Sequence, residues 1–345
     1  MKLLASYDEV VDRLGPSRAL LLGNGFSIGF DDRFRYRALR ERTNLELPEI
    51  ARDLFERLGT SSFEVVMEVL ESAGWVNRHY GGAQVDPQID DDVAATRHAM
   101  VAAIEQDHVP GLGHGAEREG DTMSTRVDVV ADFLDRFDRV FTTNYDLLLY
   151  WCCLAAHQRG RSRWRDGFLR RQGDAFGTFT PDLDVRLFFL HGALHLYEHA
   201  MSHGGDLTAR KRVRSEERSL RDLVREMIGE KSFPLVIAEG SAERKLQRIR
   251  ANRYLSAAFD AFGRLEGDLV VYGHRLGLSD RHLLRAMIDA EALETLFVGL
   301  YDDPESPGNL ETRAAIARLE QEAGDQAPET FFFPSQTAPV WTRPD

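Results

Sequence analysis

The sequence has few cysteines and no long apolar run, and each absence excludes a class of protein. Its 345 residues include only two cysteines, Cys152 and Cys153, which are adjacent. Neighbouring cysteines cannot form an ordinary disulfide with each other, and they do not supply the paired CxxC motifs of a zinc module. No stretch reaches the ~18 apolar residues of a membrane-spanning helix, and the first ten residues do not read as an export signal. We therefore expect a protein of the reducing cytoplasm.

Positive charge is also scarce. Lys and Arg number 43 against 56 Asp and Glu, so the formal net charge is −13. Nucleic acids and anionic membranes are bound by clustered positive charge, so we expect neither as a general partner. The eleven histidines include no HExxH or Cys/His ligand pattern, so we expect no catalytic metal.

Near-continuous apolar strands alternate with amphipathic helices, which is typical of a parallel sheet covered by helices on both faces. The strands are read at RALLLGNG, RVFTTN, VRLFFLHG, PLVIAEG, DLVVYGHRLG, LETLFVGLY and ETFFFP. Residues 31–135 carry helical periodicity instead, and residues 159–182 are read as loops or a small excursion. The prediction is an α/β fold: one Rossmann-like domain over 1–345, with a helical insertion at 31–135 after the first strand.

Polar or glycine-rich segments follow four of these strands. In an open parallel sheet, ligands bind outside the carboxyl ends of the strands, near the point where strand order reverses. We therefore expect the four segments to converge on one crevice. They are Gly23-Asn24-Gly25, Thr142-Thr143-Asn144, His191-Gly192 and Gly273-His274.

The first segment, Gly23-Asn24-Gly25-Phe26-Ser27, favours an anion site. Glycines allow a ligand to approach the backbone, and amides at a helix start attract a phosphate. The complete GxGxxG spacing is absent, so a strand-to-helix turn without a ligand explains the glycines equally well.

Residues of the second and third segments carry the candidate chemistry. Thr142, Thr143, Asn144 and Asp146 follow a strand although their types disfavour strands, and helix capping is the alternative explanation. His191 is suited to proton transfer near neutral pH, and a hydrogen-bonded core histidine is the alternative. His195 and Glu239 are left open as structural or supporting residues.

Taken in order, the segments GNGFS, TTNYD, HG and GHRLGLSD resemble the motifs of sirtuin-like NAD-binding domains. The resemblance spans essentially the whole chain, least clearly the helical insertion. It is to bacterial sirtuin-like proteins without the zinc module, similar to the NAD-hydrolysing domains of anti-phage defence. Arg275 departs from the pattern, because a small serine is usual at that position of the late turn.

The resemblance implies a role for each matching segment. The turn from Gly23 to Ser27 would hold the pyrophosphate of NAD, and the late turn, through Gly273, His274, Arg275 and Asp280, would receive the adenosine ribose. Asn144 would contact the nicotinamide ribose, with Asp146 near the carboxamide. His191 would accept a proton.

The implied activity is metal-independent cleavage of NAD to nicotinamide and ADP-ribose, in a defence or stress effector held inactive until triggered. Protein deacetylation is disfavoured, because the zinc module that helps form the peptide cleft is missing. Two alternatives stay open: a sensor that binds NAD or ADP-ribose without turnover, and an ADP-ribosyl transferase that uses the same site. The insertion is the segment expected to regulate the site, to form a homo-oligomer or to bind a regulatory protein partner.

Overall fold

A computed structural model describes most of the chain, namely residues 2–80, 86–106, 120–160, 164–170, 174–181, 184–200, 207–212, 220–229, 233–238 and 241–342. Glu239 lies outside the described residues. The strands are β1 (Lys2–Leu3), β2 (Arg18–Leu22), β3 (Arg139–Thr142), β4 (Phe168–Leu169), β5 (Phe176–Phe179), β6 (Leu187–Phe189), β7 (Gly192–Ala200), β8 (Leu207–Arg212), β9 (Pro234–Val236), β10 (Glu266–Tyr272), β11 (Ala292–Leu300) and β12 (Glu329–Pro334).

The helices surround two sheets formed by these strands. They are α1 (Tyr7–Val11), α2 (Gly25–Phe30), α3 (Tyr36–Thr43), α4 (Glu49–Arg57), α5 (Phe63–His79), α6 (Asp86–Gln106), α7 (Gly120–Leu134), α8 (Leu148–Gln158), α9 (Leu220–Gly229), α10 (Ala242–Ala251), α11 (Arg253–Phe262), α12 (Arg281–Asp289) and α13 (Pro307–Ala323). Within the described ranges, none of them is long and apolar enough to cross a membrane.

The larger sheet is parallel and confirms the α/β, Rossmann-like prediction. Its seven strands run in the order β1-β12-β11-β10-β2-β3-β6, and every neighbouring pair is parallel. Without the edge strand β1, this is the doubly wound order in which β2 is the first strand and β10 the fourth. Strand order therefore reverses between β2 and β10. Central strands such as β2 and β10 are buried along most of their length, as their apolar runs require.

The helical insertion after the first large strand is also present. Helices α2 to α7 all lie between β2 and β3, and α5 packs along α6. Phe55 and Phe63 of this region are fully buried with their rings in edge contact. The insertion thus contributes to the hydrophobic core rather than forming a detached appendage.

The segment PLVIAEG forms a strand as predicted, but its assignment to the parallel sheet was wrong. Its strand, β9, pairs antiparallel with β7 in a second, five-stranded sheet of order β4-β5-β8-β7-β9. The chain enters that sheet directly after β6 through Gly192, whose φ of +78° suits glycine. An apolar run shows that a strand is buried, but pairing partners decide which sheet buries it.

The segment ERKLQRIRANRYLSAAFDAF forms two helices rather than one. Asn252 has extended backbone between them, and its side chain accepts hydrogen bonds from the amides of Tyr254 and Leu255. This capping ends α10 and begins α11. Similarly, the excursion at 159–182 contains β4 and β5 of the second sheet.

Candidate functional site

The four polar strand ends meet in one row across the parallel sheet. The residues Tyr272, Leu22, Thr142 and Phe189 are register partners in succession across β10, β2, β3 and β6. Two residues beyond each of them stand His274, Asn24, Asn144 and His191. Neighbouring strands are about 4.8 Å apart, so these positions face one edge of the sheet. The predicted convergence of the four segments is therefore present in the fold.

The glycines of the first segment are required by a second backbone. A side chain on Gly23 would lie 2.6 Å from the Gly273 carbonyl oxygen, and one on Gly25 would lie 2.5 Å from Cα of Gly273. The Gly25 amide donates to the Gly273 carbonyl at 2.8 Å. Gly273 itself has φ of +68°. The loops after β2 and β10 thus touch at the point where strand order reverses, which explains the glycines whether or not a ligand binds.

A buried hydrogen-bonded network joins the first two segments. The side-chain amide of Asn144 donates to the Ser27 hydroxyl oxygen at 2.9 Å, and the Ser27 hydroxyl donates to Asp146 at 2.5 Å. The other oxygen of Asp146 accepts from the Leu148 amide at 2.9 Å, at the start of α8. Burial raises the pKa of the Asp146 carboxyl, against the lowering effect of the hydrogen bond from Ser27. The bond to Leu148 supports the capping explanation, whereas the ligand-facing role of these residues stays a prediction.

Other predicted site residues have mainly structural contacts. Thr142 is buried, and its hydroxyl oxygen accepts a hydrogen bond from the backbone amide of Asn144 at 3.0 Å. The Phe26 side chain is buried against Trp341, with ring centres 4.7 Å apart. Asn24 donates to the Phe34 carbonyl, which ties the turn to the insertion. These three side chains are therefore engaged by the protein itself.

Two further predicted site residues, Arg275 and Thr143, have contacts that do not involve the buried histidine side chains. Arg275 is exposed, and its guanidinium lies beside Gly308 near the start of α13. The Thr143 amide donates to the Leu22 carbonyl at 3.1 Å. Neither contact joins these two residues to the histidine side chains at the edge of the sheet.

His191 lies in a cluster with two other histidines and a carboxylate. It is 1% exposed, and its Nε2 is 2.9 Å from Nε2 of His282, which is 4% exposed. Asp280 places Oδ1 4.0 Å from the same His191 nitrogen and Oδ2 3.5 Å from Nε2 of His274. Burial lowers the pKa of all three histidines, and that of His282 falls to about 4. The rings are therefore neutral at pH 7.

A fully buried lysine holds this cluster to the insertion. Lys245 of α10 is 0% exposed, with Nζ 2.8 Å from Glu64 and 3.0 Å from Asp280. Burial lowers the Lys245 pKa, but the two carboxylates outweigh it, and the net pKa is raised. Burial likewise raises the pKa of Asp280, but Lys245 and the histidines outweigh it, and that pKa lies well below its usual value. Both groups are charged at neutral pH.

The insertion also contacts this edge of the sheet. Glu64, in the first turn of α5, lies 3.2 Å from the Tyr145 hydroxyl as well as beside Lys245. Tyr145 also donates to the Ile237 carbonyl at 3.0 Å. The insertion, the parallel sheet and the chain after β9 therefore meet around one set of polar groups. His191 is shielded from water as a result.

Sequence reasoning missed Lys245, Glu64 and His282. One signal was available: Ala242, Lys245 and Ile249 share the buried face of α10, so a charge stands in an apolar stripe. Such a residue is rarely buried without a partner. No comparable signal marks Glu64, because acidic residues are common in any first helical turn.

The donor atoms of His191, Asp280 and His282 all lie within 4.8 Å of one another. Imidazole nitrogen and carboxylate oxygen are ligands that zinc accepts. However, Oδ1 of Asp280 already lies 3.0 Å from the Lys245 ammonium, and a cation there would meet that positive charge. The arrangement fits the handling of a proton better than the coordination of a metal.

Comparison with known proteins gives a family but no activity. A family model described as "Domain of unknown function (DUF4917)" matches residues 20–341, which is most of the chain. No curated protein matches it.

Proposed function

The chain belongs to the DUF4917 family, and we propose that this member is an NAD glycohydrolase, which cleaves NAD to nicotinamide and ADP-ribose. One observation carries the proposal. Asn144 and His191 each stand two residues beyond a register pair of adjacent strands, at the carboxyl edge of a doubly wound sheet. That edge is where such sheets bind nucleotides.

The reaction needs orientation and a proton acceptor rather than a strong nucleophile. The bond between ribose C1′ and the nicotinamide nitrogen breaks, and its electron pair neutralises the positive charge of the leaving ring. Asn144 would orient the ribose, and water would attack C1′ and lose a proton to His191. His191 suits this role because it is neutral at pH 7.

The buried state of the site supports regulation of this activity. His191 is 1% exposed, and Glu64 of the insertion closes on Lys245 and Tyr145 beside it. Substrate entry would require these contacts to separate. We propose that the trigger is self-association of the protein, which opens the insertion as the protein concentration rises, as suits a cytoplasmic stress or defence effector whose unregulated activity would deplete NAD in its own host.

The same burial favours one alternative, a sensor that binds NAD or ADP-ribose without turnover. In that case His191 and its partners would be a rigid wall rather than a base. Transfer of ADP-ribose to a macromolecule would use the same site with another acceptor. The three functions differ in products and are separable in one assay.

The decisive experiment measures nicotinamide release from NAD by the purified protein over a range of protein concentrations. We expect release that falls by roughly 100-fold or more in Asn144→Ala, which loses the group that orients the ribose, and in His191→Ala, which loses the general base. His199→Ala, on β7 of the second sheet, is the matched control and should retain activity.

Each alternative has its own result. Binding of NAD by calorimetry, equal in wild type and His191→Ala and without release from either, would replace hydrolysis by sensing. Transfer of label from adenine-labelled NAD to protein or nucleic acid would identify the transferase. Absence of binding and of release, at every concentration, would refute all three.

A further inference from the structure

The contact between His191 and His282 is a hydrogen bond in which only one of the two Nε2 atoms carries a proton. A neutral imidazole carries a single N–H, so two neutral rings with Nε2 atoms 2.9 Å apart must pair as one donor and one acceptor. Both rings are neutral at pH 7, and the ring planes are inclined by 31°. The direction of this hydrogen bond decides which nitrogen of His191 can accept another proton.

We infer that His282 is a positioning residue that accepts the Nε2 proton of His191, leaves the His191 Nδ1 lone pair as the proton acceptor, and acts together with Asp280. The reverse direction would place the His191 proton on Nδ1 and occupy the Nε2 lone pair, so that neither nitrogen could act as a base. The inference deepens the proposed function and rests on it, because the choice of direction assumes that His191 acts as a base, whereas its NMR test does not depend on turnover.

Asp280 supplies the negative charge that a protonated His191 needs. Its Oδ1 lies 4.0 Å from His191 Nε2, on the side that carries the proton. It is an ionised carboxylate, held by Lys245 at 3.0 Å. When water loses a proton to Nδ1, His191 becomes an imidazolium whose Nε2–H bonds to His282 and faces Asp280. The proton later leaves Nδ1 for solvent, so the cycle balances.

His274 does not compete for this proton. Its Nδ1 accepts a hydrogen bond from the Leu276 amide at 2.9 Å, so its own proton stands on Nε2, toward Asp280. Of the titratable groups that act on His191, Asp280 favours the imidazolium, whereas Lys245, His282 and His274 oppose it. For His282, Asp280 and Glu243 favour the imidazolium, whereas Lys245 and His274 oppose it.

This arrangement leaves the second nitrogen of His282, Nδ1, without a hydrogen-bond partner among the described residues. With His191 as donor, the His282 proton lies on this nitrogen, which is buried. A buried donor without a partner lowers the stability of the folded state. A buried polar atom without a partner is locally destabilising, and a catalytic role is one reason for a protein to retain it.

Nitrogen-15 NMR of the histidines tests the direction of the bond without any turnover. We expect His191, identified by its loss in His191→Gln, to be protonated on Nε2 in the wild type and to become a mixture of tautomers in His282→Leu. His282→Gln offers an amide oxygen as acceptor and should restore the Nε2–H form. A wild-type His191 protonated on Nδ1 would overturn the inference.

Kinetics provide the second test. His282→Leu should lower kcat by ~30-fold or more with little change in KM, and His282→Gln should recover most of it, because a catalytic histidine depends on the partner that holds its tautomer and orientation. Asp280→Asn should lower kcat and shift the acid limb of the pH profile downward. Asp268→Asn removes a buried carboxylate at the opposite end of β10 and serves as the control.

The two proposals fail in different ways. If no nicotinamide is released while His191 keeps its Nε2 proton, the proposed function is refuted and the tautomer stands. Equal kcat and pH profiles in wild type and His282→Leu, with nicotinamide released, would instead refute the positioning role of His282.

Discussion

His282 should make the protein lose stability on mild acidification. Its pKa falls from 6.5 to about 4 in the folded chain, chiefly because burial disfavours the imidazolium. The unfolded chain takes up a proton near pH 6.5, whereas the folded chain resists until about pH 4. The stabilising contribution is therefore complete above pH 6.5 and is lost as the pH falls toward 4.

The size of the effect follows from the shift. A difference of about 2.5 pKa units corresponds to about 3 kcal/mol in all, of which about 2 kcal/mol is lost between pH 7 and pH 5. In His282→Gln nothing titrates at this position. The variant should therefore lose about 2 kcal/mol less than the wild type over the same pH interval.

Urea unfolding at pH 7, 6 and 5, followed by tryptophan fluorescence and circular dichroism, measures this difference. Other buried histidines, including His191 and His274, also destabilise the wild type on acidification, so the comparison between the two proteins is the quantity of interest. His79→Gln changes an exposed histidine and should behave as the wild type. An unfolding free energy that falls equally in wild type and His282→Gln would refute the reasoning.

Three other substitutions test the structure around the site. Gly273→Ala forces a side chain into the loop after β2 at positive φ, so we expect a loss of at least ~2 kcal/mol; a variant as stable as wild type in urea would show that the loops do not pack so closely. Lys245→Met leaves the partly buried carboxylates of Glu64 and Asp280 without their cation, which should cost about 3 kcal/mol at pH 7 and less near pH 4. Thermal unfolding at both pH values decides, and an equal loss at both would count against the charge argument. Ser27→Ala removes the link between Asn144 and Asp146 and should cost about 1–3 kcal/mol, with unchanged stability in denaturant as the contrary result.

Much of the fold could be predicted because its signals are local. The runs at β2 and β10 are apolar throughout, as strands buried on both faces must be, and the insertion shows helical periodicity. The break at Asn252 has a local cause, its side-chain cap, whereas the pairing of the second sheet has a non-local one. An apolar strand such as β9 has the same composition in either sheet, and its partner is set by residues far away along the chain.

The candidate site also has features that local sequence predicts and features that only tertiary contacts set. The sequence by itself determined that polar residues end four strands, because a parallel sheet brings such ends to one edge, and it named Asn144 and His191 from their types and places. Only the tertiary structure decided that Gly23 and Gly25 serve a contact with Gly273, and that Lys245 bridges Glu64 and Asp280. These are contacts between residues 35 to 250 positions apart, and they exist because chain closure brings them together. No local pattern records them.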